Sequence, residues 1–241
     1  MNPDLLIAAA TEFEVSRFLS RCPGSSGRKL KTGCKLFTGR IGEQTYELLV
    51  SGPGVFNAAQ ALAAYLSESA PSLIINTGIA GIFKSTGGAA GDIAVATHEQ
   101  YLHTGVQTDA PVEKAPLPFD LIADSPLSRK GIYPLDEQTA DFIHGRLNRK
   151  FSSHSPARLH RGGFMTVSTI TASFEYADRI YGIHRPVMES MEGAACAHVA
   201  ACHHISFAEI RCASNFTGER DKSNWDMDLA VKNLGEALAA I

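Results

Sequence analysis

The chain has 241 residues, of which 44% are hydrophobic and 20% are charged, and its formal net charge at pH 7 is −3. A globular chain of this length buries a sizeable core without disulfides or metals, and its slight negative charge argues against a nucleic-acid partner. No apolar stretch approaches the ~20 residues that a membrane span requires, so we expect no membrane partner either.

Apolar segments of strand length alternate along the chain with segments of helical pattern. In chain order they predict strands at 5–10 and 46–51, a helix at 57–68, strands at 73–77, 92–97 and 164–168, a helix at 192–203, a strand at 207–212 and a helix at 226–241. Strands that alternate with helices are typical of α/β proteins. We therefore predict a single domain over residues 1–241, with a central, mixed, mostly parallel twisted sheet flanked by helices.

A proline-rich stretch at residues 111–126 interrupts this alternation. Connections of this length are uncommon in compact domains, and those that occur often carry a function. We predict a surface excursion that acts as a lid or as an oligomer contact.

The amino terminus and the cysteines indicate the compartment. Asp4 precedes the first apolar run, where a secretory signal peptide carries positive charge. The five cysteines are odd in number and include no CxxC pair, so they predict neither a disulfide framework nor a zinc site. We expect a cytoplasmic protein that binds no metal and uses no cofactor.

Carboxylates, glycines and an amide follow several of the predicted strands. Glu12 and Glu14 come after the first strand, glycine-rich turns at 52–54 and 78–81 come after the next two, and Asn215 follows the last. Ligands bind outside the carboxyl ends of the strands in an open parallel sheet. The sequence therefore predicts a ligand site at this edge.

Each of these features also has a simpler interpretation. The glycines could form tight turns, because glycine adopts positive φ without strain. Glu12 and Glu14 could be solvated carboxylates in the first turn of a helix, where the helix dipole favours them. Arg211 stands at the end of an apolar strand, where a charged side chain is rarely buried unless it is paired. For this residue we therefore favour a functional role.

Three segments carry a family resemblance. They are residues 76–81 (Asn-Thr-Gly-Ile-Ala-Gly) with Gly-Asp-Ile at 91–93, residues 191–195 (Met-Glu-Gly-Ala-Ala) and residues 210–215 (Ile-Arg-Cys-Ala-Ser-Asn). In order and spacing they resemble the purine nucleoside phosphorylase and nucleosidase superfamily, especially its methylthioadenosine/S-adenosylhomocysteine nucleosidase branch. The closing stretch 211–221, with Trp225 beyond it, is similar to the futalosine hydrolases, nucleosidases of an alternative menaquinone pathway.

The resemblance implies an enzyme that hydrolyses the N-glycosidic bond of a nucleoside and releases a purine base. In that reaction Met191 and Glu192 would lie under the ribose, and Glu14 would activate the attacking water with help from Arg211. Asn215 stands where adenine-cleaving relatives carry an aspartate that protonates the purine. The other substrate-binding residues that the resemblance implies are Ile79, Ala80, Gly81 and Phe174. Ile79 replaces a serine of the nucleosidase relatives and so lacks the hydroxyl that contacts the water there.

The chemistry of the reaction agrees with these residue types. Glycosidic cleavage passes through an oxocarbenium-like sugar, which a carboxylate under the ribose stabilises. The hexameric phosphorylases of the superfamily carry a Gly-Asp-Pro-x-x-Arg-like loop after the first strand, and this chain has Thr-Glu-Phe-Glu at 11–14. Two carboxylates at that place would repel phosphate, so the sequence favours water as the nucleophile.

Two alternatives stay open at this stage. A methylthioadenosine or S-adenosylhomocysteine nucleosidase is the alternative enzyme, and a nucleoside-binding module without catalysis is the alternative class. Asn215 favours a 6-oxopurine such as hypoxanthine over adenine, since a neutral amide can donate to O6. The resemblance also implies a homo-oligomer in which the segment from Leu117 to Phe119 of a neighbouring copy completes the pocket.

Overall fold

A computed structural model of the protein describes residues 3–22, 24–110, 112–151 and 156–241. The strands are β1 (Leu5–Ala9), β2 (Ser26–Lys29), β3 (Lys35–Ile41), β4 (Gln44–Val50), β5 (Leu73–Ile82), β6 (Ile93–Tyr101), β7 (Val106–Gln107), β8 (Lys114–Ala115), β9 (Ile132–Pro134), β10 (Leu159–Thr166), β11 (Met188–Ser190) and β12 (Ser206–Phe216). The α-helices are α1 (Glu12–Arg21), α2 (Val55–Leu66), α3 (Glu137–Lys150), α4 (Phe174–His184), α5 (Gly193–Cys202) and α6 (Met227–Leu238).

Within the described ranges, ten strands form one mixed sheet in the order β11-β10-β6-β12-β5-β1-β4-β3-β2, with β9 added at β6. The strands β4-β1-β5-β12 pair in parallel, as do β6-β10-β11. The pairs β2–β3, β3–β4, β6–β9 and β6–β12 are antiparallel. An antiparallel pairing between β11 and β5 closes one end of the sheet into a small barrel. The predicted mixed α/β sheet with flanking helices is confirmed.

Helices cover both faces of the sheet because its central strands are apolar on both sides. On β1, Leu6 packs in the cluster that contains residues of α2 and α5, such as Leu62 and Ala197. Its neighbour Ile7 points to the other face, into the cluster formed with α1, α3 and α6. Successive side chains of a strand alternate between faces, so the continuous apolar run fills two cores.

The glycine segments after the second and third strands behave differently from each other. Gly52 and Gly54 have φ of 88° and 90°, so the interpretation of 52–54 as a turn is confirmed. The interpretation of 78–81 as a turn is wrong, because β5 continues through these residues to Ile82. Pairing with β12 along this whole length keeps the strand extended.

The proline-rich stretch 111–126 begins at Pro111, which lies outside the described residues. Its described part contains β8 and the start of a short 3-10 helix, and many of its side chains are exposed. No helix in the described ranges is long and apolar enough to cross a membrane.

Candidate active site

A cavity of about 390 Å³ lies beyond the carboxyl ends of β1, β11 and β12 and beside the second half of β5. Apolar side chains such as Phe13, Ile170 and Met191 form much of its wall. Carboxylates and an amide also line it, chiefly Glu14, Glu192 and Asn215. An apolar cavity with a few convergent polar groups is typical of a small-molecule site.

Glu14 is held at the cavity by the start of α1. Thr11 caps this helix: its hydroxyl accepts a hydrogen bond from the Glu14 backbone N–H, at 3.4 Å. In return, Glu14 Oε2 accepts hydrogen bonds from the Thr11 N–H and hydroxyl, both at 2.9 Å. Oε1 accepts from the backbone N–H of Ile79 at 3.0 Å. Three hydrogen bonds therefore fix a carboxylate that is only 7% exposed.

Burial raises the pKa of Glu14 above its ordinary value. The positive charge of Arg211 opposes that rise, the negative charge of Glu192 adds to it, and the hydrogen bonds from Ile79 and Thr11 lower it. The net direction is upward, so this carboxylate is more basic than a solvated one. A raised pKa suits a general base that works near neutral pH.

Arg211 lies fully buried behind the cavity, on β12. Its Nε donates to Glu209 Oε1 at 2.8 Å, and its Nη2 donates to Glu192 Oε2 at 3.3 Å. Burial opposes the charge of Arg211, but the Glu209, Glu192 and Glu14 carboxylates outweigh it and raise its pKa. These four side chains are called the arginine cluster below. The charge of Arg211 is therefore paired within the fold, and its functional role stays a prediction.

Gly78 gives the arginine cluster its room. A Cβ at this position would lie 2.5 Å from both Arg211 Nη1 and Glu14 Oε1, and the backbone φ is +152°. Both the space and the backbone conformation exclude a larger residue. Glycine at 78 therefore serves the close approach of strand β5 to two charged side chains rather than a turn.

Glu192 links the arginine cluster to the glycine turn after β4. Its Oε1 accepts a hydrogen bond from the Gly54 N–H at 2.9 Å, while Oε2 faces Arg211. The carboxylate is 5% exposed and borders the cavity. The positive φ of Gly54 turns its N–H toward this carboxylate, so the turn positions a charged group of the site.

A bulge in β12 directs Asn215 to the cavity. The pairing register with β5 shifts between Ala213 and Asn215, which leaves Ser214 as the extra residue. Asn215 Oδ1 accepts from the Ser214 hydroxyl at 2.7 Å, and Nδ2 donates to the Phe216 carbonyl at 2.8 Å. One amide N–H and one lone pair of Oδ1 remain for a ligand.

Three further polar atoms around the cavity have no hydrogen-bond partner among the described residues. They are Ser190 Oγ, Thr217 Oγ1 and Trp225 Nε1, which are buried, and all three residues line the cavity. Buried polar groups are almost always hydrogen-bonded in proteins. Their positions favour a polar ligand with several donors and acceptors.

Comparison with known proteins places this geometry in a family. The profile of the phosphorylase superfamily matches residues 4–241. The chain belongs to the phosphorylase superfamily. Among curated members, it is 33% identical over 207 residues to a futalosine hydrolase of Acidothermus cellulolyticus, covering 82% of this chain and 75% of the relative.

Other members of the phosphorylase superfamily are also similar. The chain is 26% identical over 208 residues to a 5′-methylthioadenosine/S-adenosylhomocysteine nucleosidase of Oceanobacillus iheyensis, covering 86% of this chain and 84% of the relative. The crystal structure of such a nucleosidase from Neisseria meningitidis, in complex with methylthio-immucillin-A, superposes with a TM-score of 0.81. It covers 98% of this chain and 96% of that chain at 21% identity, which shows the common fold.

Most residues predicted from the sequence meet at the cavity. The residues that line it are Glu14, Ile79, Ala80, Gly81, Met191, Glu192 and Asn215, and Arg211 reaches Glu192 from behind. Phe174 is placed elsewhere: it begins α4, and the Lys84 ammonium covers its ring at 3.4 Å from the centroid. A base-stacking role for Phe174 stays a prediction that this geometry does not favour.

The two acidic residues after β1 have different surroundings. The interpretation of Glu14 as a solvated carboxylate is wrong, because the side chain is buried and bonded to Ile79. Glu12 is exposed and forms a surface ion pair with Lys35. The structure thus places Glu14 at the cavity and Glu12 on the surface.

The cavity also contains residues that were not predicted as site residues, among them Glu189 and Trp225. Glu189, on β11, lines the cavity, and its carboxylate accepts hydrogen bonds from the Thr171 N–H and hydroxyl, at 3.2 and 2.5 Å. Trp225 also lines the cavity. The signal available in the sequence was their position, since Glu189 precedes the Met-Glu-Gly segment and Trp225 follows the closing stretch. In the described part of the chain, no three His, Cys, Asp or Glu side chains gather as metal ligands would.

Proposed function

We propose that this protein is a nucleosidase that hydrolyses the N-glycosidic bond of futalosine and releases hypoxanthine. The observation that carries the proposal is a buried, basic carboxylate, Glu14, that shares one cavity with Glu192 and the free hydrogen-bonding groups of Asn215. The 33% identity to a futalosine hydrolase supports the choice of substrate. We infer no cofactor, because water, two carboxylates and an amide supply the groups that the reaction needs.

In this mechanism the nucleophile is water. Glu14 accepts a proton from the water, whose oxygen forms a bond to C1′ as the bond from C1′ to the purine breaks. The arginine cluster holds three carboxylates around one cation, and Glu14 and Glu192 both border the cavity. A phosphate dianion beside them would be repelled, whereas a neutral water would not.

The sugar and the base each have a partner in this scheme. Glu192 faces the ribose, where its carboxylate accepts hydrogen bonds from hydroxyls and stabilises the positive charge that develops on the sugar. The electron pair of the broken bond moves onto the purine, where the free N–H of Asn215 stabilises it. The base becomes neutral hypoxanthine by taking a proton from solvent, and Glu14 returns its proton to solvent. A neutral amide donates to O6 of hypoxanthine, which is why we favour a 6-oxopurine over adenine.

A substrate panel tests the assignment. Futalosine, aminodeoxyfutalosine, methylthioadenosine and inosine are incubated with the protein, and the released base is quantified by chromatography. We expect the highest kcat/KM for futalosine. A preference for an adenine nucleoside would overturn futalosine as the substrate, but the protein would still be a nucleosidase. If no base is released, a nucleoside-binding module without catalysis would be favoured.

Replacing Glu192 tests the ribose contact. Glu192→Ala should lower kcat as well as raise KM, because the bonds of this carboxylate tighten as the sugar becomes cationic. Steady-state kinetics on futalosine provide the measurement, and Glu175→Ala, an exposed carboxylate on α4, is the matched control. An effect on KM alone would limit Glu192 to binding of the ground state.

We also propose that the protein works as a homo-oligomer whose neighbouring copy covers the cavity. Phe13 lines the cavity but is 45% exposed, and Phe56, three residues after cavity-lining Pro53, is 86% exposed. Leu117 or Phe119 of the second copy could pack there. Light scattering should give at least twice the chain mass of 25.8 kDa. A fully active monomer would contradict this proposal.

A further inference from the structure

Two buried carboxyl groups lie behind the arginine cluster. Glu99 on β6 and Glu209 on β12 are both 0% exposed. Glu209 Oε1 accepts two hydrogen bonds, from Arg211 Nε at 2.8 Å and from Asn76 Nδ2 at 3.0 Å. Glu99 Oε2 accepts one, from the Thr166 hydroxyl at 2.7 Å. The second oxygen of each carboxyl group, Glu99 Oε1 and Glu209 Oε2, is buried and has no donor among the described residues.

These two unpartnered oxygens border the same point. A Cβ built on Gly193 would lie 2.1 Å from Glu99 Oε1 and 2.4 Å from Glu209 Oε2. Two ionised carboxylates that are fully buried this close to each other repel strongly, because their interaction is strong at low dielectric. A proton on one of them turns the repulsion into a hydrogen bond. Glycine at 193 leaves the space that this arrangement needs.

The contacts decide which group is ionised. Glu209 accepts from a guanidinium and from an amide, whereas Glu99 accepts only from a hydroxyl, so the negative charge is better stabilised on Glu209. Burial raises the pKa of Glu99 well above its usual range, and the charge of Glu209 and the hydrogen bond to it act in the same direction. Thr166 and Arg211 oppose the rise without reversing it.

We propose that Glu99 keeps its proton at neutral pH and donates it from Oε1 to Oε2 of Glu209, so that Glu209 stays ionised and orients the Arg211 guanidinium toward Glu14 and Glu192. Glu99 is then a positioning residue, which acts on the reaction through Glu209 and Arg211. The positioning role of Glu99 rests on the proposed function. The proton shared by Glu99 and Glu209 is independent of the proposed function, because it is inferred from the burial and the contacts of the two carboxyl groups.

Protonation of Glu99 also limits the charge of the site. The groups that face Glu99 electrostatically are Glu209 and Arg211 on β12, and the Cys196 thiol on α5, whose pKa is raised by burial. Arg211 already faces the carboxylates of Glu14, Glu192 and Glu209. A fourth ionised carboxylate would compete for the same guanidinium and draw it away from the cavity.

Infrared difference spectroscopy tests the proton directly and needs no substrate. At neutral pH the spectrum of the wild type minus that of Glu99→Gln should contain the C=O band of a protonated carboxyl group, shifted in D₂O. Glu175→Gln, at an exposed position, should give no such band. A difference spectrum that contains only carboxylate bands would overturn the proposal. This result is independent of whether futalosine is the substrate.

Kinetics of two variants test the positioning role. Glu99→Gln keeps a donor toward Glu209 and an acceptor for Thr166, so turnover near pH 7 should stay within about threefold of the wild type. Glu209→Gln removes the charged partner of Arg211 and should lower kcat by about 10- to 100-fold, the scale of a hydrogen bond to a charged group. A larger loss of kcat in Glu99→Gln than in Glu209→Gln would place the proton on Glu209 and overturn the assignment. Equal losses in the two variants would show that the pair is purely structural and would overturn the positioning role of Glu99.

The alkaline side of the pH profile of kcat distinguishes a positioning role of Glu99 from a purely structural one. Glu99 loses its proton as the pH rises through its raised pKa, so wild-type kcat should fall there. Glu99→Gln has no proton to lose at this position and should lack that fall. If the two profiles coincide, Glu99 does not control the arginine cluster. If Glu209→Gln fails to fold, the infrared spectrum and this profile still decide.

Discussion

Glu14→Gln is expected to bind nucleoside but to lose turnover by ~10²-fold or more, the usual scale for removal of a general base. Glutamine retains the shape of the side chain and can still accept from the Ile79 N–H, so the cavity should keep its form. It cannot accept a proton from water. Single-turnover kinetics with futalosine, together with a direct measurement of Kd, separate the loss of chemistry from a loss of binding.

Glu12→Gln is the matched control for this variant. Glu12 lies two residues earlier in the same helix, exposed and paired with Lys35, and should tolerate the change with nearly normal kcat. A large loss in Glu12→Gln with normal turnover in Glu14→Gln would exchange the two roles. Near-normal turnover of both variants would remove this helix from the mechanism.

The pH dependence of the wild type should carry the signature of Glu14. The base works only when ionised, and its pKa is raised by burial, so kcat/KM should fall as the pH decreases through a value above 4.5. Folding stability depends on pH in the opposite direction. Because the pKa of Glu14 is raised in the folded state, the folded state binds this proton more tightly than the unfolded state. The contribution of Glu14 to the unfolding free energy therefore decreases as the pH rises above the unfolded pKa. The unfolding free energy of Glu14→Gln relative to wild type should therefore increase from pH 4 to pH 7 in denaturant titrations.

Asn215→Asp is expected to change which base the enzyme accepts. The substitution replaces an amide with two N–H donors by a carboxylate that, when ionised, only accepts. When this carboxylate faces O6 of hypoxanthine, two hydrogen-bond acceptors oppose each other. When it faces the 6-amino group of adenine, it can accept a hydrogen bond from that group. The futalosine to aminodeoxyfutalosine ratio of kcat/KM should fall by about one to three orders of magnitude, within the range of hydrogen-bond discrimination.

The same amide-to-carboxylate change on the surface controls for charge. Asn148→Asp, at an exposed position on α3, should leave the ratio unchanged. If Asn215→Asp also leaves it unchanged, the amide does not recognise the base. The nucleosidase mechanism of Glu14 and Glu192 would survive that outcome, but the 6-oxopurine assignment would lose its structural support.

Much of the fold could be predicted because buried strands have a simple signature. The apolar run at 5–10 and the run at 73–77 correspond to β1 and β5, which pair side by side at the centre of the sheet. The helices predicted at 57–68, 192–203 and 226–241 correspond to α2, α5 and α6 within two or three residues. Helices α3 and α4 were not predicted, since their buried positions are few and separated by charged residues.

The site could be predicted only in part, because its charges are buried by long-range contacts. The buried carboxylate of Glu14 is hydrogen-bonded to Ile79, 65 residues away, and that of Glu209 to Asn76, 133 residues away. A strand pattern does not distinguish a buried carboxyl group such as Glu99 from a solvated one. The family resemblance located Glu14, Glu192 and Arg211 as separate positions, and the folded chain shows their electrostatic coupling.

The measurement that tests the central claim most directly is identification of the sugar product formed from futalosine in buffer with excess inorganic phosphate. Buried carboxylates at the cavity should exclude phosphate, so mass spectrometry should detect hypoxanthine and the free, unphosphorylated sugar, at a rate that does not depend on phosphate. A sugar 1-phosphate, with a rate that increases with phosphate concentration, would contradict the proposed role of Glu14 as the base that activates water.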